Sequence, residues 1–281
     1  GLPNYLYHPN GAVHRFLSRL ALENFLHPFQ PFILGQYGFP LHCSQKFGIK
    51  LVFYGENSAE YGNNPKDNLT PTRSYKDIGL INNEKSYVGG IEVNEISKKY
   101  DIPMSALSDY IPPKVEDIAK SEMEWHYLGF YLKWHPQANY YFATKYKFQP
   151  APERNAGSFS RYSGLDDKMD DFNYYFLYVK YGQGRASYDT AQEIRRGDIN
   201  RDEAKALIER YDGEYPTRFE NEVYEYWSIN KIPGANQKMI DAFEVKEVNR
   251  NYIEKLSDKF RSPHLWKYDK TKKNWKLNYD L

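Results

Sequence analysis

The stretch from Pro31 to Gly55 constrains the fold more than any other part of this sequence. Pro31 suits the first position of a helix, Pro40 is expected to kink or divide that helix, and Gly48 can cap its end. Leu51-Val52-Phe53-Tyr54 follows as a continuous apolar run that Gly55 stops. Helix, glycine, apolar run and glycine in that order predict a buried parallel strand in an α/β sheet. Open α/β sheets place ligands at the carboxyl ends of such strands. Here those residues are Gly55, Glu56, Asn57 and Glu60. Two carboxylates in that position can hold Mg²⁺ on a nucleotide phosphate, because Mg²⁺ takes one or two carboxylates plus phosphate oxygens and water. An ordinary polar loop is the competing reading.

Mean hydropathy is -0.81, which by itself resembles a disordered chain. Aromatic content argues the other way. Phe, Trp and Tyr make up 17% of the 281 residues, with 27 Tyr, and their rings carry large buried area despite a polar score. A folded protein with tyrosines at core edges and in clefts is expected. Lys plus Arg number 38 against 37 Asp plus Glu, so no global field favours nucleic acid or an acidic membrane as partner. A single cysteine, Cys43, excludes a disulfide framework and a multi-cysteine zinc site within this chain. No apolar run reaches the roughly 18 residues of a membrane helix. No signal-peptide pattern opens the chain, and the cytoplasm is the expected compartment. The sequon Asn68-Leu69-Thr70 therefore carries little weight.

Local patterns predict further elements. Asn10-Gly11 can start a helix carrying Val13, Phe16, Leu17 and Leu20. Residues 62–90 are polar and irregular, a functional loop or lid. A short helix is expected over 94–100, a strand over 126–132 and a helix from Pro136 to Tyr146, followed by a loop over 149–164. Asp166-Asp167 are expected to open a helix ending at Gly182, and Ser187 to cap the next, ending at Gly197. Asn200 and Glu203 have capping-box spacing before a helix that Gly213 stops. Helices near 217–227 and 249–260 complete the reading. Three regions follow, 1–62, 63–148 and a mainly helical 149–281.

Several motifs dissolve on inspection. Asp198, Asn200, Asp202 and Glu209 imitate calcium-loop positions, but Glu203 stands where the loop's sharp turn requires glycine, and the capped helix explains the same residues. His8, His14, His27 and His42 lack any ligand spacing and read as structural. Residues 96–105 imitate the start of a helix-turn-helix, without the basic second helix that DNA binding needs. Gly182 to Ser187 places Arg185 just before a helix start, which suits a phosphate or carboxylate, although a simple helix connection explains the glycines equally well.

At these residues the chain resembles the N-acetyl sugar amidotransferases, PP-loop enzymes of lipopolysaccharide, O-antigen and pseudaminic-acid-type sugar biosynthesis. The resemblance runs in family order through HPFQPFILGQ at 27–36, LVFYGENSAEYGN at 51–63 and HYLGFYLKWHPQ at 126–137. It continues through LDDKMDDF at 165–172, GQGRASYDTAQEIRRGDINRDEA at 182–204, RYDGEYP at 210–216 and KFRSPHLW at 259–266. It implies an α/β fold, a Rossmann-like PP-loop domain of the adenine nucleotide alpha hydrolase type, here partial, with a mainly helical region after it. The family's phosphate loop, of SGGxDS type, and its cysteine pairs are missing from this sequence, so the chain is expected to be a C-terminal portion that binds ATP weakly.

The reaction implied is ATP-dependent. ATP adenylates the oxygen of a sugar N-acetyl group, and ammonia displaces AMP to leave an acetamidino group. The resemblance implies ATP and Mg²⁺ as cofactors, an acetamido sugar or nucleotide sugar as substrate, and a partner glutamine amidotransferase that supplies ammonia. It places Gly55, Glu56 and Asn57 at the nucleotide and Glu56 and Glu60 at the metal and the chemistry; Asp166, Asp167, Lys168, Arg185 and Asp189 match family stretches and are expected to bind the nucleotide-sugar substrate, with Arg185 on a phosphate or carboxylate. A non-catalytic subunit that binds a nucleotide sugar or docks a glutaminase is the alternative.

Overall fold

The computed structural model describes residues 2–55, 69–72, 85–132 and 134–279. In chain order the helices are α1 (Gly11–Phe25), α2 (Gln30–Phe47), α3 (Val93–Tyr100), α4 (Val115–Lys120), α5 (Leu128–Tyr131) and α6 (Pro136–Thr144). They continue with α7 (Asp170–Tyr181), α8 (Arg185–Arg196), α9 (Arg201–Tyr211), α10 (Glu220–Trp227), α11 (Gln237–Asp241) and α12 (Arg250–Phe260). The strands are β1 (Leu51–Tyr54), β2 (Tyr87–Val88), β3 (Ile91–Glu92), β4 (Glu124–Tyr127), β5 (Trp266–Asp269) and β6 (Asn274–Leu277). The chain divides into two compact units, each assembled from three stretches.

The first unit comprises Gly1–Phe53, Thr72–His126 and Tyr224–Arg250. Asn10 caps α1 as expected, its side chain accepting from the Val13 N–H at 3.1 Å. Val13, Phe16, Leu17 and Leu20 then recur at helical spacing and enter one core with Ile96, Leu107, Ile229 and Phe243. Arg19, on the same helix, is fully buried. Its guanidinium donates to Glu23 Oε1 at 2.6 and 2.9 Å and to the Trp227 and Val245 carbonyls at 3.2 and 3.1 Å. A buried cation is tolerated only with such partners.

α2 runs through Pro40 as one helix, so of the two outcomes expected there division does not occur, and Gly48 caps it at φ 66°. A proline costs one hydrogen bond and a local clash, and the packing of α2 against α1 holds the helix together across it. β1 forms where expected, yet it is not buried on both faces. It pairs with β4 in a two-stranded sheet, and Leu51 and Phe53 are each 49% exposed. Apolar content alone cannot tell such a strand from a fully covered one. The strand expected over 126–132 belongs instead to β4, and the chain turns helical at Leu128.

Within the expected loop at 62–90, the described end forms an antiparallel hairpin of β2 and β3, with Val88 opposite Ile91. Its two-residue turn needs positive φ at both positions, which Gly89 (57°) and Gly90 (81°) supply. A Cβ on Gly89 would lie 2.9 Å from Leu20 Cγ, so the turn also sits close against α1.

The second unit comprises Tyr54–Pro71, Tyr127–Val223 and Asn251–Leu281. Its helices α7, α8 and α9 pack in sequence, with Phe172, Phe176, Val179, Ala186 and Ala204 buried. α7 begins at Asp170, four residues later than expected, because Asp167 turns its side chain onto the Met169 N–H at 2.7 Å in the preceding loop. Gly182 and Gly197 close α7 and α8 in the left-handed conformation, and Asn200 and Glu203 form the full capping box on α9. The β5–β6 hairpin, which no local pattern announced, is antiparallel and anchored by Trp266, whose indole N–H donates to the Val179 carbonyl at 2.8 Å.

Candidate functional site

The second unit contains a pocket of about 340 Å³ between the stretch 134–164 and one face of α8. That size lies at the small end of ligand pockets. Its walls carry five aromatic side chains: Trp134, Tyr140, Phe148, Phe159 and Tyr162. Tyr140 and Tyr162 stack with centroids 4.6 Å apart and planes 14° apart, and the Tyr162 hydroxyl donates to Gln137 Oε1 at 3.0 Å. Between the rings stand Asn139, Ser160, Ser163, Arg185, Asp189, Gln192 and Glu193. The Trp134 indole N–H is buried and has no hydrogen-bond partner among the described residues.

α8 supplies the polar wall, and distant residues hold it in place. The backbone N–H groups of Gly184 and Ser187 donate to Asp212 at 2.9 and 3.3 Å, and the Ser187 hydroxyl donates to it at 2.5 Å. Asp212 therefore performs the capping that the sequence assigned to Ser187, a correction explained by long-range rather than local pairing. A carboxylate at the positive end of a helix is favoured, although burial pushes the Asp212 pKa up. Glu214 holds the neighbouring loop, receiving both Arg154 amino groups at 2.5 and 2.7 Å and the Gly157 N–H at 2.9 Å. This bidentate pair keeps the Glu214 carboxyl below its ordinary range.

Two of the sequence-predicted sugar residues, Arg185 and Asp189, meet in this pocket. Arg185 Nε lies 3.1 Å from Asp189 and a terminal nitrogen 3.5 Å from Asp170, with the guanidinium 4.2 Å above the Tyr174 ring. Asp189 also accepts from the Ser158 hydroxyl at 2.5 Å. The Arg185 charge is thus met by the protein's own carboxylates. Burial pushes the Asp170 pKa up to about 6 even beside Arg185.

Asp166, Asp167 and Lys168 lie in the loop before α7 and do not line the pocket. Lys168 makes an exposed ion pair with Glu222 at 3.6 Å. Burial raises the Asp167 pKa. Gly55 is exposed with open space where a side chain would be, and Glu56, Asn57 and Glu60 lie outside the described residues. Among the described residues no group of three or more His, Cys, Asp or Glu side chains is arranged to hold a metal ion, and no helix is long and apolar enough to cross a membrane. His14 and His42 fit the structural role expected of them, bonded to the Tyr110 hydroxyl at 2.8 Å and the Ile111 carbonyl at 2.9 Å.

Sequence reasoning expects tyrosines in clefts but singles out neither the ring positions of this wall nor Glu193. Trp134 lies in the stretch 126–137 and Glu193 in 182–204, both already singled out, but neither residue type at that spacing names a chemistry on its own. Residues 156–280 match the family model of the LPS biosynthesis protein WbpG-like C-terminal domain. No curated protein matches the chain. The matched stretch is short of half the chain and includes all of α8. It is similar to proteins of lipopolysaccharide biosynthesis, which supports a role in polysaccharide biosynthesis.

Proposed function

We propose that this chain is the sugar-handling part of an ATP-dependent N-acetyl sugar amidotransferase of surface polysaccharide assembly, acting in the cytoplasm with a glutaminase as ammonia source. The observation that carries the reading is the composition of the pocket. Ring faces can stack on the C–H faces of a sugar, while Asn139, Gln192, Asp189 and Glu193 offer hydrogen bonds to hydroxyl and acetamido groups. With Arg185 already neutralised, the pocket favours an uncharged sugar ring over a phosphate.

The chemistry rests on the resemblance of stretches along most of the sequence to that PP-loop family. An amide carbonyl is a poor electrophile, and adenylation turns its oxygen into a leaving group that ammonia can displace. Mg²⁺ bound with ATP would neutralise the departing pyrophosphate. Glu56 and Glu60 are the proposed metal ligands and Gly55 and Asn57 the nucleotide contacts.

Binding is tested by calorimetry with UDP-N-acetylglucosamine, UDP and free N-acetylglucosamine. The sugar-bearing ligands are expected to bind, and Tyr140→Ala is expected to weaken them about tenfold or more, as the loss of one stacking face would. Binding of UDP alone with equal affinity would contradict a sugar pocket. For the reaction, the protein is supplied with ammonium and Mg-ATP, and mass spectrometry follows replacement of a carbonyl oxygen by NH. Pyrophosphate release without amidine product would sink the amidotransferase reading.

A further inference from the structure

We propose that the pocket sorts its ligands by charge and takes a cationic group, the amidinium of an acetamidino sugar, in preference to the neutral acetamido group from which it is made. This rests on the amidotransferase reading and adds to it which side of the reaction the pocket is built to hold.

The polar wall carries more negative than positive charge. Asp189 and Glu193 lie on one face of α8, at i and i+4, and both line the pocket. Asp170 stands at the adjoining corner behind Gly164, where a Cβ on the glycine would collide with its Oδ2. Asp198 follows the left-handed Gly197 turn, and its side chain meets the Glu193 carboxyl. The arginines in this group are Arg185 and Arg196. Arg185 is held between Asp170 and Asp189, and Arg196 turns its Nε to the Trp134 carbonyl at 2.9 Å. His135, 3.4 Å from Asp198, accepts the Ala138 N–H at Nδ1, so its ring lends a hydrogen bond without a charge. Four carboxylates thus face two arginines.

The rest of the lining agrees. Five aromatic side chains complete the wall, and an aromatic ring attracts a cation where an aliphatic side chain would not. Asn155, 3% exposed at the same corner as Asp170, keeps its Oδ1 without a hydrogen-bond partner among the described residues. An unpaired acceptor and surplus carboxylates are both costly out of water. Both are relieved by a ligand that brings N–H groups and positive charge.

The acetamidino group answers that description. Replacing the carbonyl oxygen of an N-acetyl group by NH gives an amidine, a base strong enough to hold a proton at neutral pH. The ion is planar with N–H groups on both nitrogens, the arrangement by which a guanidinium grips a carboxylate. Substrate and product have nearly the same size, so shape does not separate them and one unit of charge does. Glu193 is the carboxylate that meets the ion, since the oxygens of Asp189 are taken by Arg185 and Ser158. A cation there also relieves the repulsion between Glu193 and Asp198. The pocket therefore holds product more firmly than substrate.

Calorimetry at low ionic strength compares N-acetylglucosamine with its acetamidino counterpart, prepared by amidination of glucosamine. The acetamidino sugar is expected to bind about tenfold more tightly, as a charge-assisted hydrogen bond exceeds a neutral one. Added salt should shrink that advantage. Glu193→Gln, nearly equal in volume, should weaken the acetamidino sugar more than the N-acetyl sugar and bring their ratio toward one, whereas a merely structural Glu193 would weaken both alike. Equal affinity of the two sugars in the wild type would overturn the charge preference, and an unchanged ratio in Glu193→Gln would overturn the role of Glu193. If neither sugar binds, the sugar reading fails, and acetamidine and acetamide, which carry no sugar ring, decide the charge preference separately. Tyrosine NMR signals should then move with acetamidine and not with acetamide, and equal or absent shifts would overturn it.

Discussion

Around α1, the first unit buries Phe16, Leu17, Ile96 and Leu107 against one another, and the polar groups that enter, His14 and Arg19, are each tied to fixed partners. Around α8, the second unit draws carboxylates out of water instead: Asp171 is buried, Asp170, Asp212 and Glu193 are half-buried, and desolvation raises the pKa of all four. Arginines only partly offset this, as where Arg218 stands 3.2 Å from Asp171. An apolar core gains free energy with every group it takes from water, whereas a buried acid costs free energy unless a ligand or a proton compensates it. The difference places the stabilising apolar burial in one set of residues and the uncompensated carboxylates in the other.

The largest expected effect tests the apolar side. Phe16→Ala removes a fully buried ring and is expected to cost about 3–5 kcal/mol in urea unfolding, with no dependence on pH between 4 and 7. A loss below about 1 kcal/mol would show that the core is not the stabilising element described.

Asp170→Asn tests the opposite side. Its carboxyl titrates near 6 in the folded chain and near 3.9 when unfolded, so the folded state holds a proton that the unfolded state has released. The group therefore favours folding below about pH 4, and that advantage is lost as pH rises toward and past 6. Relative to wild type, Asp170→Asn is expected to gain about 2 kcal/mol between pH 4 and pH 7. A constant difference across that range would remove Asp170 from the comparison.

Asp212→Ala leaves the Gly184 and Ser187 donors at the start of α8 without their partner, at a cost of about 2 kcal/mol. Hydrogen exchange at those two amides should accelerate first. Unchanged protection there would mean that water replaces the carboxylate without loss. The smallest effect belongs to Asn200→Ala, which removes the capping box of α9 for about 1 kcal/mol, read as a shift of the unfolding midpoint at unchanged slope.

Much of this was legible without a structure where the signal is local. Arg185 and Asp189 were chosen as site residues and do meet in the pocket, because they share one helix face at i, i+4. Glu193, one turn further along the same face, was passed over. Nothing in its immediate neighbours marks it, since the rings that share the pocket with it come from residues 134–162.

By itself the sequence determined the helix ends that local caps set: Asn10, Gly48, Gly182, Gly197 and the Asn200–Glu203 pair act on residues within one turn of themselves, so a short window holds the physics of those ends. Only the tertiary structure decided that Asp212 caps a helix start 28 residues away, that Glu214 clamps Arg154 across 60 residues, and that Trp266 closes on Val179 across 87. It also decided that β1 stays half exposed. These contacts depend on which surfaces meet once water is expelled, and a pairing between distant residues leaves no period or spacing in the chain for a reader to find.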